Sequence, residues 1–294
     1  MSIEVPVATN NRIGLQEFHE LFREGGYDAR DAESLTEASE LLLSLSNNKN
    51  FLADLIMDEL TNDMAGQRDN FYGPHVIKLG HPTEYTVMRA NIWASESDED
   101  YRRSPNAFIY GVPHDHNFNF LTVGYWGPGY KSRYYEYDYE EVEGYTGEKV
   151  GIREVSFKSL KPDTVMLYRA HVDIHSQYAP ESLSISLNVM DSAPQHHFKD
   201  QYMFDAAAEN ISVVLSSRCS PNLFEVAASF GDPEIQEALV FISRRHESDY
   251  ARACALRSAL RAEKDEDRLD RLIAYGRDSN VAGLREAVAR HQRH

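Results

Sequence analysis

VPHDHNFNF at residues 112–120 and LYRAHVDIHSQ at residues 167–177 are two stretches in which histidines are closely spaced. In the first stretch, His114 and His116 are two residues apart. On a β-strand this spacing directs both imidazoles to one face, where they can reach a single metal ion. An isolated pair of this kind is also typical of unrelated surface histidines in a turn, so the second stretch decides between the two interpretations.

The second stretch has polar side chains at alternate positions. If it runs as a strand, His171, Asp173 and His175 share a face. Burying such groups is costly unless they bind a metal or one another. Together the two stretches predict one mononuclear metal site, with His114, His116 and a histidine of the second stretch, His175 or His171, as ligands.

The sequence around these histidines is typical of an antiparallel β structure. Short runs rich in β-branched and aromatic residues are separated by Gly, Pro and Asp, and no long helix interrupts them. This pattern predicts a sandwich or closed barrel over residues 73–195. The expected strands cover residues 75–79, 85–93, 107–110, 120–125, 132–139, 150–157, 164–168 and 183–190.

Both flanks of the β segment have apolar residues at helical spacing. Leu15, Phe18 and Phe22 illustrate it in residues 1–72, and Leu223 and Val226 illustrate it in residues 196–294. The expected fold class is therefore α+β, an antiparallel barrel flanked by N-terminal and C-terminal helical segments. The C-terminal helices are expected to cap the barrel or to contact a second subunit, which would make the protein a homodimer.

Composition limits the partners and the compartment. The chain has 294 residues, 30 Lys and Arg against 47 Asp and Glu, and a formal net charge of −17, which disfavours nucleic acid and anionic membranes. We find no apolar run long enough for a membrane span and no export signal at the N-terminus. Cys219 and Cys254 form no CxxC motif, so we expect neither a disulfide framework nor a thiolate zinc site, and a reducing cytoplasm is the expected location.

With these motifs, residues 73–194 resemble the cupin superfamily. Cupins supply an HxH pair from one strand and a third histidine from a later strand beside a Pro-containing turn. Here the first motif is GVPHDH at residues 111–116 and the second is DIH at residues 173–175. The usual cupin glutamate is missing, because Asn119, Phe120 and Leu121 stand where it is expected. The resemblance therefore implies His175, which lies nearest the turn, as the third ligand and His171 as its neighbour outside the ligand set. The site would then have three neutral imidazoles, with Glu136 as an alternative fourth ligand.

Among cupins, the sequence is similar to the thiol dioxygenases of the cysteine type, which have a three-histidine ferrous site. Those enzymes also hold a substrate carboxylate with an arginine from an earlier strand, and Arg89 is at a comparable position. A salt bridge at the rim is the alternative role for Arg89. Where that family has Ser, His and Tyr alternating on the strand after the last ligand, this chain has Ser186, Asn188 and Met190. The resemblance therefore implies oxygenase chemistry without its substrate.

We expect a metal-dependent oxygenase that uses Fe(II), with Zn, Mn or Ni as other metals, and takes dioxygen and a small amino-acid-like or thiol-bearing metabolite. Tyr168, Asp173 and His171 are the expected catalytic residues, which orient ligand imidazoles or transfer protons. Arg89 and Tyr134 are expected to bind the substrate. The alternatives are a non-redox metal cupin, acting as an isomerase or hydrolase, and a cupin binding module with a helical partner surface.

Overall fold

The structure is a computed structural model, and it describes residues 3–142, 144–194, 199–215 and 221–293. Cys219 lies outside these residues. The chain forms two compact units, and each is made of three segments of the sequence. The first unit contains Met1–Tyr139, Val150–Pro194 and Met203–Glu209, and the second contains Glu140–Lys149, Gln195–Tyr202 and Asn210–His294.

Strands dominate the first unit and helices dominate the second. The strands are β1 (Ile3–Glu4), β2 (Val76–Thr83), β3 (Thr86–Trp93), β4 (Phe120–Trp126), β5 (Lys131–Glu136), β6 (Arg153–Ser159), β7 (Val165–Tyr168), β8 (Asp173–Tyr178), β9 (Ser184–Asp191), β10 (Tyr202–Phe204) and β11 (Ile211–Val214). The helices are α1 (Leu15–Glu24), α2 (Ala32–Glu37), α3 (Ser39–Asn47), α4 (Phe51–Thr61), α5 (Glu99–Arg103), α6 (Pro221–Ser229), α7 (Pro233–Arg245), α8 (Asp249–Ala262), α9 (Glu266–Arg277) and α10 (Ala282–His291).

Two antiparallel sheets form the first unit. The larger sheet has the order β1-β7-β4-β9-β3-β2, and the smaller has the order β6-β5-β8. Alternation along β4 explains how the larger sheet is covered on both faces. Leu121 and Val123 pack on one face with Phe18 of α1, whereas Phe120 packs on the other face with Tyr134 of the smaller sheet. The space between the sheets is therefore lined with aromatic rings.

The expected closed barrel is met only in part, because the antiparallel strands form two separate sheets. Strand β8 at the edge of the smaller sheet pairs through an isolated bridge to His114. Residues 107–110, expected as a strand, do not form one. Ile109 and Gly111 have left-handed backbone, with φ of 50° and 74°, and Pro113 has no N–H to donate.

Other boundaries differ from the sequence expectation. β1, in the part expected to be helical, pairs with β7 at Ile3 and Leu167. β6 begins at Arg153, three residues later than expected. Two short strands, β10 and β11, precede the helices in residues 196–294. Short segments of two to four residues carry too little periodicity to be found from sequence.

Three helices of the second unit, α7, α8 and α9, begin at residues whose side chains cap them. The side chain of Asp232 accepts a hydrogen bond from the backbone N–H of Glu234 at 2.7 Å. Ser248 and Asp265 cap α8 and α9 in the same way. Such caps satisfy backbone N–H groups that have no partner inside the helix, so they fix where each helix starts.

The apolar stripe expected along α6 does not face the core of its unit. Leu223 is 62% exposed and Val226 is 53% exposed, whereas Phe224 is buried against the other helices. Cys254 of α8 is a buried free thiol in this core. None of the helices in the described residues combines the length and the apolar character that crossing a bilayer requires.

Gly124 of β4 provides a test of the fold. A Cβ at this position would overlap the carbonyl oxygen of Lys161, which belongs to the turn that crosses the strand. We expect Gly124→Ala to lower the free energy of unfolding by about 1–3 kcal/mol, because backbone atoms must move. A Cβ at Gly151 meets open space, so Gly151→Ala is the control. Equal urea midpoints for the two variants would show that the turn does not pack as described.

Candidate metal centre

The histidine pair and β8 are tied together through backbone hydrogen bonds. The N–H of His114 donates to the carbonyl of His175 at 3.0 Å, and the N–H of His175 donates back at 3.0 Å. The carbonyl of His116 accepts the N–H of His171 at 2.9 Å. These bonds hold the irregular segment with the two histidines alongside the third.

The ring nitrogens of His114, His116 and His175 converge. Nε2 of His175 is 3.1 Å from Nε2 of His114 and 3.0 Å from Nε2 of His116, and candidate ligand atoms of all three lie within 4.8 Å of one another. With metal–nitrogen bonds of about 2.1 Å, two ligands at right angles have nitrogens about 3.0 Å apart. The separations therefore fit neighbouring positions around one ion, and these are the three histidines selected from the sequence.

The protons on these rings show why the donor set fits a cation. Nδ1 of His114 lies 2.9 Å from the carbonyl of Val112, so it carries the proton and leaves Nε2 with a lone pair. Nε2 of His175 has at most one proton for its contacts with His114 and His116. A single proton can serve only one of these two contacts and leaves the other without a donor, whereas a metal ion can bind all three nitrogens. The three histidines could therefore hold a metal ion.

Burial keeps the three imidazoles neutral. It lowers the pKa of His114 below the ordinary value of 6.5, and it lowers the pKa of His116 and His175 well below it. The neighbouring histidines lower the pKa of His116 and His175 further, and the charge of Arg89 lowers that of His116. Neutral imidazoles are the form that binds metals.

Aromatic rings surround the histidines. The ring centroid of His116 is 4.8 Å from that of Phe118 and 4.9 Å from that of Phe120, and His175 lies 4.8 Å from Tyr168. His175 is only 2% exposed. These contacts fix the orientation of the imidazoles and limit the access of water.

Three tyrosine hydroxyls meet beside His175. The hydroxyls of Tyr134 and Tyr168 are 3.0 Å apart, and Tyr130 also hydrogen-bonds Tyr168. Burial raises the pKa of all three phenols, so each stays protonated at neutral pH. Tyr130 was missed in the sequence, although its spacing from Ser132 and Tyr134 matches the period of a strand face.

Arg89 lies on β3, directly opposite Asn188 of β9. The ring of Tyr72 is 4.8 Å from its guanidinium carbon, and its Nε is buried with no hydrogen-bond partner among the described residues. Burial lowers the pKa of Arg89. Within the described part of the chain, no carboxylate forms an ion pair with Arg89, so the rim salt bridge is absent there. An inward arginine without a carboxylate fits an anionic ligand.

Glu136 and Asp173 are engaged by arginine. Arg169 contacts the carboxylate of Asp173 at 2.8 Å and that of Glu136 at 3.0 Å, and Arg153 also pairs with Glu136. Within the described residues, the group that could hold a metal contains three histidines and not Glu136. The role of Asp173 in orienting a ligand stays a prediction.

His171 is not on the strand that carries His175. It lies in a turn with φ of 59°, and its ring centroid is 4.4 Å from that of Tyr139. The expectation that residues 171–177 form a strand is therefore wrong at its start. The carboxylate of Asp173 accepts a hydrogen bond from the backbone N–H of Arg169 at 2.7 Å. This bond stabilises the turn, so the strand begins only at Asp173.

No protein-family model matches this sequence, and no curated protein matches it. Solved structures superpose on it loosely. Crystal structures of DMSP lyases match 62% of this chain and 75% of that chain, with 12% identity and a TM-score of 0.27. The vicilin from Solanum melongena matches 53% of this chain and 40% of its own, with 14% identity and a TM-score of 0.22. RmlC from Streptococcus suis in complex with dTDP-D-xylose matches 42% of this chain and 73% of its own, with 10% identity and a TM-score of 0.20.

These three neighbours are cupin-fold proteins. Superpositions at these TM-scores carry no weight for activity or substrate. The chemistry of the site therefore rests on the geometry of the histidines and the groups around them.

We expect the purified chain to contain about one transition metal ion, because three converging imidazoles lack another adequate partner. Replacing both His114 and His116 by Ala should abolish metal binding. His19 of α1 belongs to no such group among the described residues, so His19→Ala is the control. Elemental analysis gives the answer, and full occupancy in the double variant would refute the site.

The metal-free protein should lose stability as the pH falls through about 6.5. Unfolded histidines take up protons there, whereas burial lowers the pKa of His114 and His175 in the folded state. The unfolded state then binds more protons, so the free energy of unfolding falls by up to about 1.4 kcal/mol per pH unit for each histidine. Urea titrations at about pH 7.5 and about pH 5.5 measure this loss. A His114→Gln/His175→Gln variant should lose less, and an equal loss would contradict the assignment.

Proposed function

We propose that the first unit is a mononuclear metal-dependent cupin enzyme that oxygenates a small anionic metabolite with Fe(II) and dioxygen. The convergence of Nε2 atoms from His114, His116 and His175, at 3.0 and 3.1 Å, is the observation that carries the proposal. The cupin-like motifs and the antiparallel sheets around them support it.

The ligand set favours oxygen chemistry. Three neutral imidazoles on one side of an ion leave up to three positions open, which is room for a substrate and dioxygen together. Bound ferrous iron would supply the activation of dioxygen. The buried aromatic rings of Phe118 and Phe120 beside His116 would keep bulk water from this space.

Arg89 is the proposed anchor for the substrate. Its charge contributes to the lowered pKa of His116, which places Arg89 on the same side of the larger sheet as the three histidines. Tyr72 covers a face of the guanidinium. Nε of Arg89 has no hydrogen-bond partner among the described residues, and a carboxylate or a similar oxyanion would satisfy it. The proposed substrate class is therefore a small amino-acid-like or thiol-bearing acid.

The tyrosine cluster is the proposed hydrogen-bond donor to the substrate. Tyr168 lies against His175 and shares hydrogen bonds with Tyr130 and Tyr134. Because burial raises the pKa of each phenol, the cluster donates hydrogen bonds and does not act as a base at neutral pH. Tyr168 would donate to an oxygen of the substrate, and Tyr134 would keep Tyr168 in position.

The same phenols favour a second candidate, a non-redox metal cupin. A buried acid beside a Lewis-acidic ion is also suited to isomerisation or hydrolysis with Zn, Mn or Ni. A binding module without a metal is less well supported, because the lone pairs of His114, His116 and His175 would then face one another with too few protons.

Iron-loaded protein should consume dioxygen when a substrate is present among a panel of small amino and thiol carboxylic acids. His175→Ala should abolish this activity, because two imidazoles hold iron weakly. His171→Ala should cost only about 10- to 100-fold, as expected for a group outside the ligand set. Electron paramagnetic resonance of the nitrosyl-iron complex reports iron binding independently of the substrate.

The outcomes separate the candidates. Loss of the iron signal in His171→Ala with retention in His175→Ala would mean that the third ligand is His171. Turnover by zinc-loaded protein without dioxygen would favour the non-redox enzyme. His19→Ala should behave as the parent in both assays.

A further inference from the structure

The side chain of Gln177 lies against His175, the third histidine of the candidate metal centre. Both residues are on β8, two positions apart, so their side chains project from the same face of the strand. Nε2 of the Gln177 amide is 3.3 Å from Nδ1 of His175 and 3.4 Å from its Nε2. Both side chains are buried, and the backbone carbonyl of Gln177 accepts a hydrogen bond from the N–H of Gly111 at 2.8 Å. The amide is therefore held where it can reach the imidazole.

The carbonyl of Val112 determines where the protons of these groups lie when no metal is bound. A carbonyl can only accept, so His114 has its proton on Nδ1 and a lone pair on Nε2. The 3.1 Å contact between Nε2 of His114 and Nε2 of His175 is then a hydrogen bond only if His175 has its proton on Nε2. Nδ1 of His175 has a lone pair in that case, and an N–H of the Gln177 amide donates to it.

A metal ion on Nε2 of His175 reverses this arrangement. The bound Nε2 has no proton, so a neutral imidazole must have its proton on Nδ1. A buried N–H without an acceptor is costly, and Gln177 is the only hydrogen-bond partner of this Nδ1 in the described part of the chain. An amide carries both a donor and an acceptor, so a half-turn of its last bond presents the oxygen to Nδ1 while the backbone stays in place. Gln177 can therefore serve either tautomer of His175.

We propose that Gln177 is a positioning residue of the metal centre. Its amide oxygen accepts the Nδ1–H of His175 and holds the imidazole with Nε2 directed at the ion. Partners of this kind fix the tautomer and the ring orientation of a ligand histidine. The inference rests on the metal centre of the proposed function, and it does not depend on iron, dioxygen or the substrate.

Zinc binding by the full-length protein tests this role. Gln177→Leu removes the acceptor, and we expect its zinc affinity, measured by competition with a chelating dye, to fall about 10- to 100-fold. Gln177→Glu should bind zinc at least as tightly as the parent, because a carboxylate also accepts the Nδ1–H.

Ser132→Ala is the matched control. Ser132 is buried on β5 directly opposite Gln177, and its hydroxyl forms no hydrogen bond with Gln177 or a histidine in the residues that the structure covers. This variant therefore removes a buried polar group from the same pair of strands without touching His175. Its zinc affinity should equal that of the parent.

NMR of protein with isotope-labelled histidine locates the proton directly. The proton of His175 should be on Nε2 in the zinc-free parent and on Nδ1 in the zinc-loaded parent. The Nδ1–H signal should exchange with water faster in Gln177→Leu and move downfield in Gln177→Glu, because a carboxylate is the stronger acceptor. A merely structural role would change stability and leave this signal in place. The two parent spectra decide the question if Gln177→Leu does not fold.

Several outcomes would overturn the role of Gln177. They are parental zinc affinity in folded Gln177→Leu, an equal loss in Ser132→Ala, a proton on Nε2 of His175 in the zinc-loaded parent, and an Nδ1–H signal that neither substitution at Gln177 changes. A parent that binds no zinc would refute the metal centre and Gln177 with it. Zinc binding with the expected spectra, but no oxygen consumption by the iron-loaded protein, would refute only the proposed oxygenase.

Discussion

Three imidazole lone pairs share one small buried space, and the structure around them follows from that constraint. Nε2 of His175 lies 3.0 Å from Nε2 of His116 and 3.1 Å from Nε2 of His114. Because the proton of His114 is on Nδ1, its Nε2 can only accept, and the three rings have too few protons to hydrogen-bond one another fully. Their position depends on the paired backbone bonds between His114 and His175. A cation is the partner that satisfies all three nitrogens, so the histidines are built for binding rather than for stability.

The two faces of the larger sheet carry different tasks. The face with Leu121 and Val123 is apolar and packs against the N-terminal helices, which supplies stability. The opposite face places Arg89, Asn188 and Thr122 in the interior, where unmade hydrogen bonds are costly. Polar side chains on this face, beside the three histidines, can hydrogen-bond a polar ligand. The apolar packing on one face offsets the cost of burying polar side chains on the other.

The sequence alone predicts the features of this fold and site that depend on a regular alternation of residues. Alternation in the HxH motif identifies His114 and His116, the resemblance to the cupin motifs selects His175 over His171, and the β-rich texture identifies antiparallel sheets. The start of β8 could not be predicted, because it depends on the bond from Arg169 to Asp173. The absence of the strand expected at residues 107–110 goes with the positive φ of Ile109, which no local pattern predicts. The buried hydrogen bonds of Asn188 join side chains of two strands, β4 and β9, and such contacts are invisible in one sequence.

The central claim is that His114, His116 and His175 bind one metal ion together. X-ray absorption at the metal edge of the reconstituted protein tests it most directly. We predict about three imidazole nitrogens at roughly 2.0–2.2 Å, with the remaining positions filled by light atoms. The imidazole contribution should fall by about a third in His175→Ala and should be unchanged in His171→Ala. A spectrum with only oxygen ligands, or one that is insensitive to His175→Ala, would contradict the account.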